Sequence, residues 1–217
     1  MLTRIVGEHG LPLRSGAIIL HDNVTRLIEE NRVLRNELAA MRLRLDEVER
    51  LADMDTLTPL PNRRCFVREV ERVVNQVARY GESATVVFVD VDDLKSINDR
   101  HGHSAGDAAL IHVASVLRRE IRAGDLVARI GGDEFGLLLD HLDKVKATAK
   151  AVALMAALQA SPLELGKSSL IIGLSMGLAI VKPDDTVESL LARADSRMYA
   201  AKAAQRGESQ ATHLSDK

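Results

Sequence analysis

Two short acidic stretches carry residue types that could do chemistry together. One is Asp90-Val91-Asp92-Asp93, which follows Ala84–Val89, a β-branched run without alternation that reads as a buried central strand. The other is Gly131-Gly132-Asp133-Glu134, which precedes the apolar run Phe135–Leu139. Side chains alternate along a strand, so Asp90 and Asp92 share a face. Paired glycines supply the positive φ of a two-residue hairpin turn and let a phosphate or sugar approach the backbone. Taken alone, Gly-Gly-Asp fits an ordinary solvated hairpin tip. Two acidic strand ends brought side by side would instead gather three or four negative charges, which raise one another's pKa values and invite a hard divalent cation. A carboxylate-held metal beside a glycine turn suits phosphoryl or nucleotidyl transfer.

Cationic partners for such a reaction are at hand. Lys95 lies one turn beyond the first acidic stretch, and Lys202 and Arg206 share a helix face at i and i+4. A basic helix end favoured by the helix dipole is their plainer reading. Asn98 and Asp107 are candidates for reading a base. Guanine offers N1–H and N2–H₂ as adjacent donors to one carboxylate, whereas adenine lacks that pair. Asp107 also fits a helix N-cap, and His103, taken alone, fits a structural loop histidine.

The elements that must position these residues follow from pattern. Hydrophobic residues make up 46% of the 217 residues, but with no Trp, two Tyr and three Phe the core must be aliphatic. A formal charge of −2 gives no general attraction to nucleic acid or anionic membrane. The single cysteine, Cys65, excludes an intramolecular disulfide and fits a reducing, cytoplasmic setting. No apolar run approaches the roughly 18 residues of a membrane helix.

Residues 1–20 carry scattered glycines and a proline without a sustained period, and read as a loose arm or a docking segment for a regulatory protein. Residues 21–54 follow a heptad frame, with Val24, Asn31, Leu38, Leu45 and Ala52 at a and Leu27, Leu34, Met41 and Val48 at d. That spacing predicts a coiled coil. In a parallel dimer Glu30 meets Arg35, Glu37 meets Arg42 and Arg44 meets Glu49, all pairs of opposite sign, while Asn31 favours a two-stranded, in-register assembly. A long solvated helix in a monomer is the plainer alternative. Two prolines at 59 and 61 then stop the helix, and Asn62 is a natural cap for a helix reaching Gly81. Further on, the pattern predicts a short helix from Leu94, a helix from Asp107 to about Ile121, and strands Leu126–Ile130 and Phe135–Leu139. An alanine-rich helix over 143–160, one long strand or a hairpin pair within Ser168–Val181, and a last helix from Val187 to about Ala204 complete it. Helices and strands alternate, but the hairpin excludes an all-parallel sheet. Residues 208–217 read as a disordered polar tail.

The ordered motifs Asp55-x-Leu57-Thr58-x-Leu60-x-Asn62-Arg63, Asp90-x-Asp92-x-x-Lys95-x-x-Asn98-Asp99, Gly102-His103-x-x-Gly106-Asp107, Gly131-Gly132-Asp133-Glu134-Phe135 and Lys202-x-x-x-Arg206 resemble those of the GGDEF family of diguanylate cyclases. The resemblance covers about seven tenths of the chain, and implies an α+β, nucleotidyl-cyclase-like domain over 55–207. Its central sheet would be mixed and largely antiparallel, wrapped by helices and carrying the GGDEF hairpin, with the coiled-coil helix before it. The implied reaction joins two GTP into cyclic di-GMP and two pyrophosphates in a homodimer. By the same resemblance Asp90, the Val91 carbonyl, Asp133 and Glu134 would hold Mg²⁺ or Mn²⁺, two ions per site. Asp133, Glu134 and Lys95 would be catalytic, with Asp133 helping to deprotonate the ribose 3′-hydroxyl. Asn98, Asp99, His103, Asp107, Lys202 and Arg206 would bind substrate. Arg122 and Asp125 match the family's inhibitory Arg-x-x-Asp product site. Two departures stand out: Leu94 where the family usually has Phe, and Gln205 and Gly207 around Arg206. A catalytically silent receptor or scaffold for GTP or cyclic di-GMP is the rival reading.

Overall fold

A computed structural model describes residues 13–166 and 168–215, with side chains described for 23–45, 47–48, 52–166 and 168–204. The chain divides into two units, one ending at Ala52 and the other beginning at Asp53.

The first unit is a single helix, α1 (Leu13–Ala52), whose 40 residues run to about 60 Å. It takes in residues 13–20, which the sequence assigned to the loose arm. The reason is legible afterwards, because Leu13, Ala17 and Leu20 fall at d, a and d of the same heptad frame, and a single glycine, Gly16, costs a helix only about 1 kcal/mol. Residues 1–12 of that arm lie outside the described residues. The heptad seam is bare: Leu34 is 62% exposed and Leu45 57%. On the face away from the seam Arg32 pairs locally with Glu29 at 2.6 Å.

The second unit opens with a proline-bearing turn closed by its own hydrogen bonds, Asp55 N–H to Leu60 O at 2.8 Å and Asn62 N–H to Asp53 O at 2.7 Å. Asn62 caps α2 (Arg63–Tyr80) by accepting from the Cys65 N–H, and Gly81 ends the helix at φ 70°, as its position predicts. The chain continues through β1 (Ala84–Val91), α3 (Leu94–His101), α4 (His103–Glu120), β2 (Leu126–Arg129), β3 (Glu134–Asp140), α5 (Lys144–Gln159), β4 (Leu163–Leu165), β5 (Ser168–Leu170), β6 (Leu174–Ile180) and α6 (Val187–Ser215). The main sheet has the order β2-β3-β1-β6. Its named strands pair antiparallel throughout, with one parallel bridge, Asn62 to Arg129, at its edge. The apolar segment 168–181 is divided: β5 pairs with β4 in a separate small hairpin, and only β6 joins the main sheet.

Side-chain alternation sorts the core into two layers. Val87, Val89, Val91, Phe135, Leu137 and Leu139 pack with the apolar residues of α4 and α5. Val86, Leu138 and Ala179 pack on the other face with α2 and α6. Even-numbered positions of β1 and β3 therefore face α2 and α6, and those strands' even-numbered acids do too. Two helix boundaries differ from the sequence reading. Helix α4 begins at His103, so Asp107 lies one turn inside it rather than at its cap. Helix α6 runs on to Ser215 through the segment expected to be a disordered tail, because no proline interrupts 205–215 and Gly207 is tolerated there.

Candidate active site

The sheet register brings the acidic stretches together. Asp90, the penultimate residue of β1, stands directly opposite Glu134, the first residue of β3, and the Val91 N–H donates to the Asp133 carbonyl at 3.0 Å. Both side chains project toward the α6 layer. There Lys202 reaches back and donates to Asp90 Oδ1 at 2.5 Å, so a carboxylate only 6% exposed has a cation against it. Asp92, in the turn just after β1, accepts from the buried Ser175 hydroxyl at 2.6 Å. Ser175 is itself the cross-strand neighbour of Asp90 on β6.

Negative charge exceeds positive charge here, and the carboxyls feel it. Glu134 is pushed above the usual carboxylate range by burial first, then by the charges of Asp133, Asp90 and Asp195. Asp92 is raised by its burial and by Asp90 and Asp93, against the opposing Ser175 hydrogen bond and Lys202.

The signature turn is not the two-residue hairpin expected. Residues 130–133 link β2 to β3, and neither Gly131 nor Gly132 has positive φ. The Ile130 and Gly131 N–H groups both donate to the Glu134 carbonyl, at 2.9 and 3.2 Å. Gly131 is small for a different reason: a Cβ there would meet the Glu134 side chain, 3.1 Å from its Cβ and nearer still to a carboxylate oxygen. Arg129 fastens the turn to the loop after Asp53. It donates to the Gly132 carbonyl at 2.7 Å and to Asp55 Oδ1 at 3.2 Å. Asp55 in turn accepts from the Thr58 N–H at 2.7 Å and hydroxyl at 2.8 Å.

An open cleft of about 530 Å³ adjoins this strand end, lined among others by Val91, Lys95, Asp99, Arg100, Asp133 and Lys202. Lys95 and Asp99 come from the exposed side of α3. Asn98 lies on the same helix and is half-buried, packed against Gly106 of α4. Asp107, next to Gly106, is exposed, as is His103. Arg206 lies on α6, but its side chain is outside the described residues. Arg122 and Asp125 form the turn between α4 and β2. Asp125 accepts from the Arg122 N–H and from the Asp140 N–H, each at 3.2 Å. Asp140 ends β3 where Glu134 begins it, which puts the Arg-x-x-Asp turn about 20 Å from the signature.

Among the described residues no three His, Cys, Asp or Glu side chains are gathered into a ready-made metal cage. The donor set nevertheless fits a hard cation shared with a ligand: Mg²⁺ typically takes one or two carboxylates and completes its shell with water and substrate phosphates. Ser175 and Asp195 belong to this electrostatic environment and were not singled out from sequence. Neither sits in a motif, and only the β1–β6 register and the α6 packing bring them near.

An antiparallel sheet whose adjoining strand ends gather acids beside a lysine-lined cleft is the framework of a nucleotidyl-transfer domain. The chain belongs to the diguanylate cyclase GGDEF-domain family, whose model, described as "Diguanylate cyclase, GGDEF domain", matches residues 52–208. Among curated relatives, the diguanylate cyclase TpbB of Pseudomonas aeruginosa is 38% identical over 200 residues, 89% of this chain and 46% of the relative. The response regulator PleD of Caulobacter vibrioides is 34% identical over 169 residues, 76% of this chain and 37% of PleD. The chain thus spans about half the length, or less, of these relatives. Among solved structures, diguanylate cyclase SiaD of Pseudomonas aeruginosa in complex with its activator SiaC superposes with a TM-score of 0.74 at 28% identity, covering 88% of this chain and 73% of that one. The coiled coil and GGDEF domain of DgcB from Caulobacter crescentus, in complex with c-di-GMP, gives 0.72 at 28% identity, covering 83% and 94%.

Proposed function

We propose that this protein is a metal-dependent diguanylate cyclase that joins two GTP into cyclic di-GMP and works as a parallel homodimer. The observation that supports it most is the Asp90–Glu134 cross-strand pair, with Lys202 on Asp90 and the signature turn beside the same strand end. Burial and neighbouring charge leave this acid cluster undercompensated, which favours a cation arriving with a triphosphate.

Asp90, the Val91 carbonyl, Asp133 and Glu134 would hold the divalent ions, one of which would acidify the attacking hydroxyl while the other would shield the triphosphate leaving group. Asp133 receives the proton of the ribose 3′-hydroxyl. Lys95, Lys202 and Arg206 hold the triphosphate and stabilise the charge that builds on pyrophosphate as it leaves. Asp107 accepts from the N1–H and N2–H₂ of guanine, and Asn98 pairs with the remaining polar edge, with Asp99 and His103 bordering the bound nucleotide. Each 3′-oxygen forms its bond to the α-phosphorus of the other GTP, and each pyrophosphate departs from that phosphorus. Since each domain brings one GTP, two domains must face each other.

Helix α1 supplies a seam that would hold two copies at high effective concentration. No described helix is long and apolar enough to cross a membrane, and a cytoplasmic setting goes with the GTP substrate. SiaD is solved with a protein activator, and a regulatory protein acting through the N-terminal segment is the corresponding proposal here. Arg122 and Asp125 would bind the product and slow the enzyme.

The deciding experiment is incubation of the purified chain with GTP and Mg²⁺, with the product identified by mass spectrometry. Cyclic di-GMP and two pyrophosphates per product are expected, and Asp133→Ala should abolish both. GTP or cyclic di-GMP binding without turnover would instead make the chain a receptor.

A further inference from the structure

Gly106 has no backbone reason to be glycine. It is buried in the first turns of α4, without positive φ, and glycine is a poor helix residue there compared with alanine. Its surroundings supply the reason. A Cβ built at position 106 would stand 2.8 Å from Asn98 Cγ and 3.2 Å from Nδ2, with Oδ1 closer than either. Its three nearest neighbours all belong to that one side chain. The Asn98 carbonyl accepts from the Gly102 N–H at 2.8 Å, the bond that caps α3, and the atoms nearest an added methyl are those of the terminal amide. An added methyl would therefore act on the amide itself, turning it about its side-chain bonds.

We infer that Gly106 is a positioning residue for nucleotide selection: its missing side chain is the socket that holds the Asn98 amide toward the base. The inference rests on the assignment of Asn98 to base recognition made above. It separates two neighbours on one helix. Asp107 is exposed and would accept from guanine directly, whereas Gly106 acts only through Asn98.

Four proteins test it: wild type, Asn98→Ala, Gly106→Ala and the double variant, each assayed for the KM and kcat of GTP turnover and for thermal unfolding. Gly106→Ala is expected to melt at or slightly above the wild-type temperature. It should raise the KM for GTP by roughly tenfold, the size of one lost polar contact, and should change kcat much less. Asn98→Ala should give a similar rise, and the double variant should be no worse than Asn98→Ala alone, since both changes remove one interaction. In the absence of nucleotide, the Asn98 side-chain amide signal in a ¹⁵N spectrum should move in Gly106→Ala. If Asn98→Ala raises KM and Gly106→Ala does not, or if the two effects multiply, the socket is wrong while the base reading stands. If Asn98→Ala leaves KM unchanged, the base reading falls and this inference falls with it.

Discussion

The two units of this chain keep their apolar residues in opposite ways. In the unit beginning at Asp53, Val86 and Val87 are neighbours on β1 and both are fully buried, one under α2 and α6, the other under α4 and α5. In α1 the apolar residues are just as regular, yet Leu34 and Leu45 remain more than half exposed. A sheet covered on both faces satisfies its own hydrophobic surface. A 40-residue helix with a bare heptad seam does not, and most helical stability in proteins comes from packing such a face. In the proposed reading the contrast divides the labour: one unit would hold the chemistry, and the other would set how many copies meet.

That division can be broken at the seam, with the largest effect expected anywhere in the molecule. Leu34→Asp together with Leu38→Asp puts charges at successive d and a positions and should convert the proposed dimer to a monomer in sedimentation. Turnover measured well below micromolar protein should fall by about a hundredfold or more, the scale on which tethering raises effective concentration. The thermal transition of the second unit should stay where it was, since that core is complete without α1. A dimeric, active double variant would refute the role given to the helix.

A sharper, intermediate effect is expected at the first loop of the second unit. Burial alone would raise the Asp55 carboxyl, but hydrogen bonds from Thr58 and the Arg129 guanidinium outweigh it and hold the group below its ordinary value of 3.8. A carboxylate depressed by folding contributes stability above its unfolded pKa, and that contribution disappears as the pH falls through the lower folded value. Asp55→Asn should thus cost about 1.5–3 kcal/mol near neutral pH, and the gap from wild type should begin to narrow below about pH 4 and close only as the pH falls through the lowered folded value. Because Arg129 also holds the Gly132 carbonyl, the variant should lower kcat as well. Unfolding curves across a pH series, paired with initial rates, check both halves.

The two units also differed in how much their sequence disclosed. The heptad frame is plain because a single period governs it; the helix start at Leu13 is not legible because Gly10, Pro12 and Gly16 mask the continuing frame. In the second unit, the β-branched run of β1, the Asn62 cap and the Gly81 stop are local signals, and each was readable. The adjacency of Asp90 and Glu134 depends on a strand pairing more than 40 residues apart in sequence, so motif order could suggest it but not register. What escaped altogether depended on close approach. The space that Gly131 leaves for Glu134 and Gly106 leaves for Asn98 follows from packing, which composition does not encode, and the turn glycines do not adopt the positive φ that their pairing predicts.

The smallest expected effect on the resting enzyme lies at the far end of β3, and it asks whether the second unit regulates itself without α1. Asp125 is structural as well as a candidate ligand, since its carboxylate accepts from the Arg122 and Asp140 backbone N–H groups. Removing it would disturb the turn and confuse two causes. Arg122 is the cleaner probe, because its backbone N–H makes that hydrogen bond and its exposed guanidinium is left to bind guanine edges or phosphate. Arg122→Ala should shift stability by no more than about 0.5 kcal/mol and leave the initial rate near that of wild type. Added cyclic di-GMP should then inhibit at concentrations at least about tenfold higher than for wild type, the loss expected when a charged hydrogen-bond donor is removed. Equal inhibition of both proteins would mean that product control, if the enzyme has it, is exerted elsewhere than at this turn.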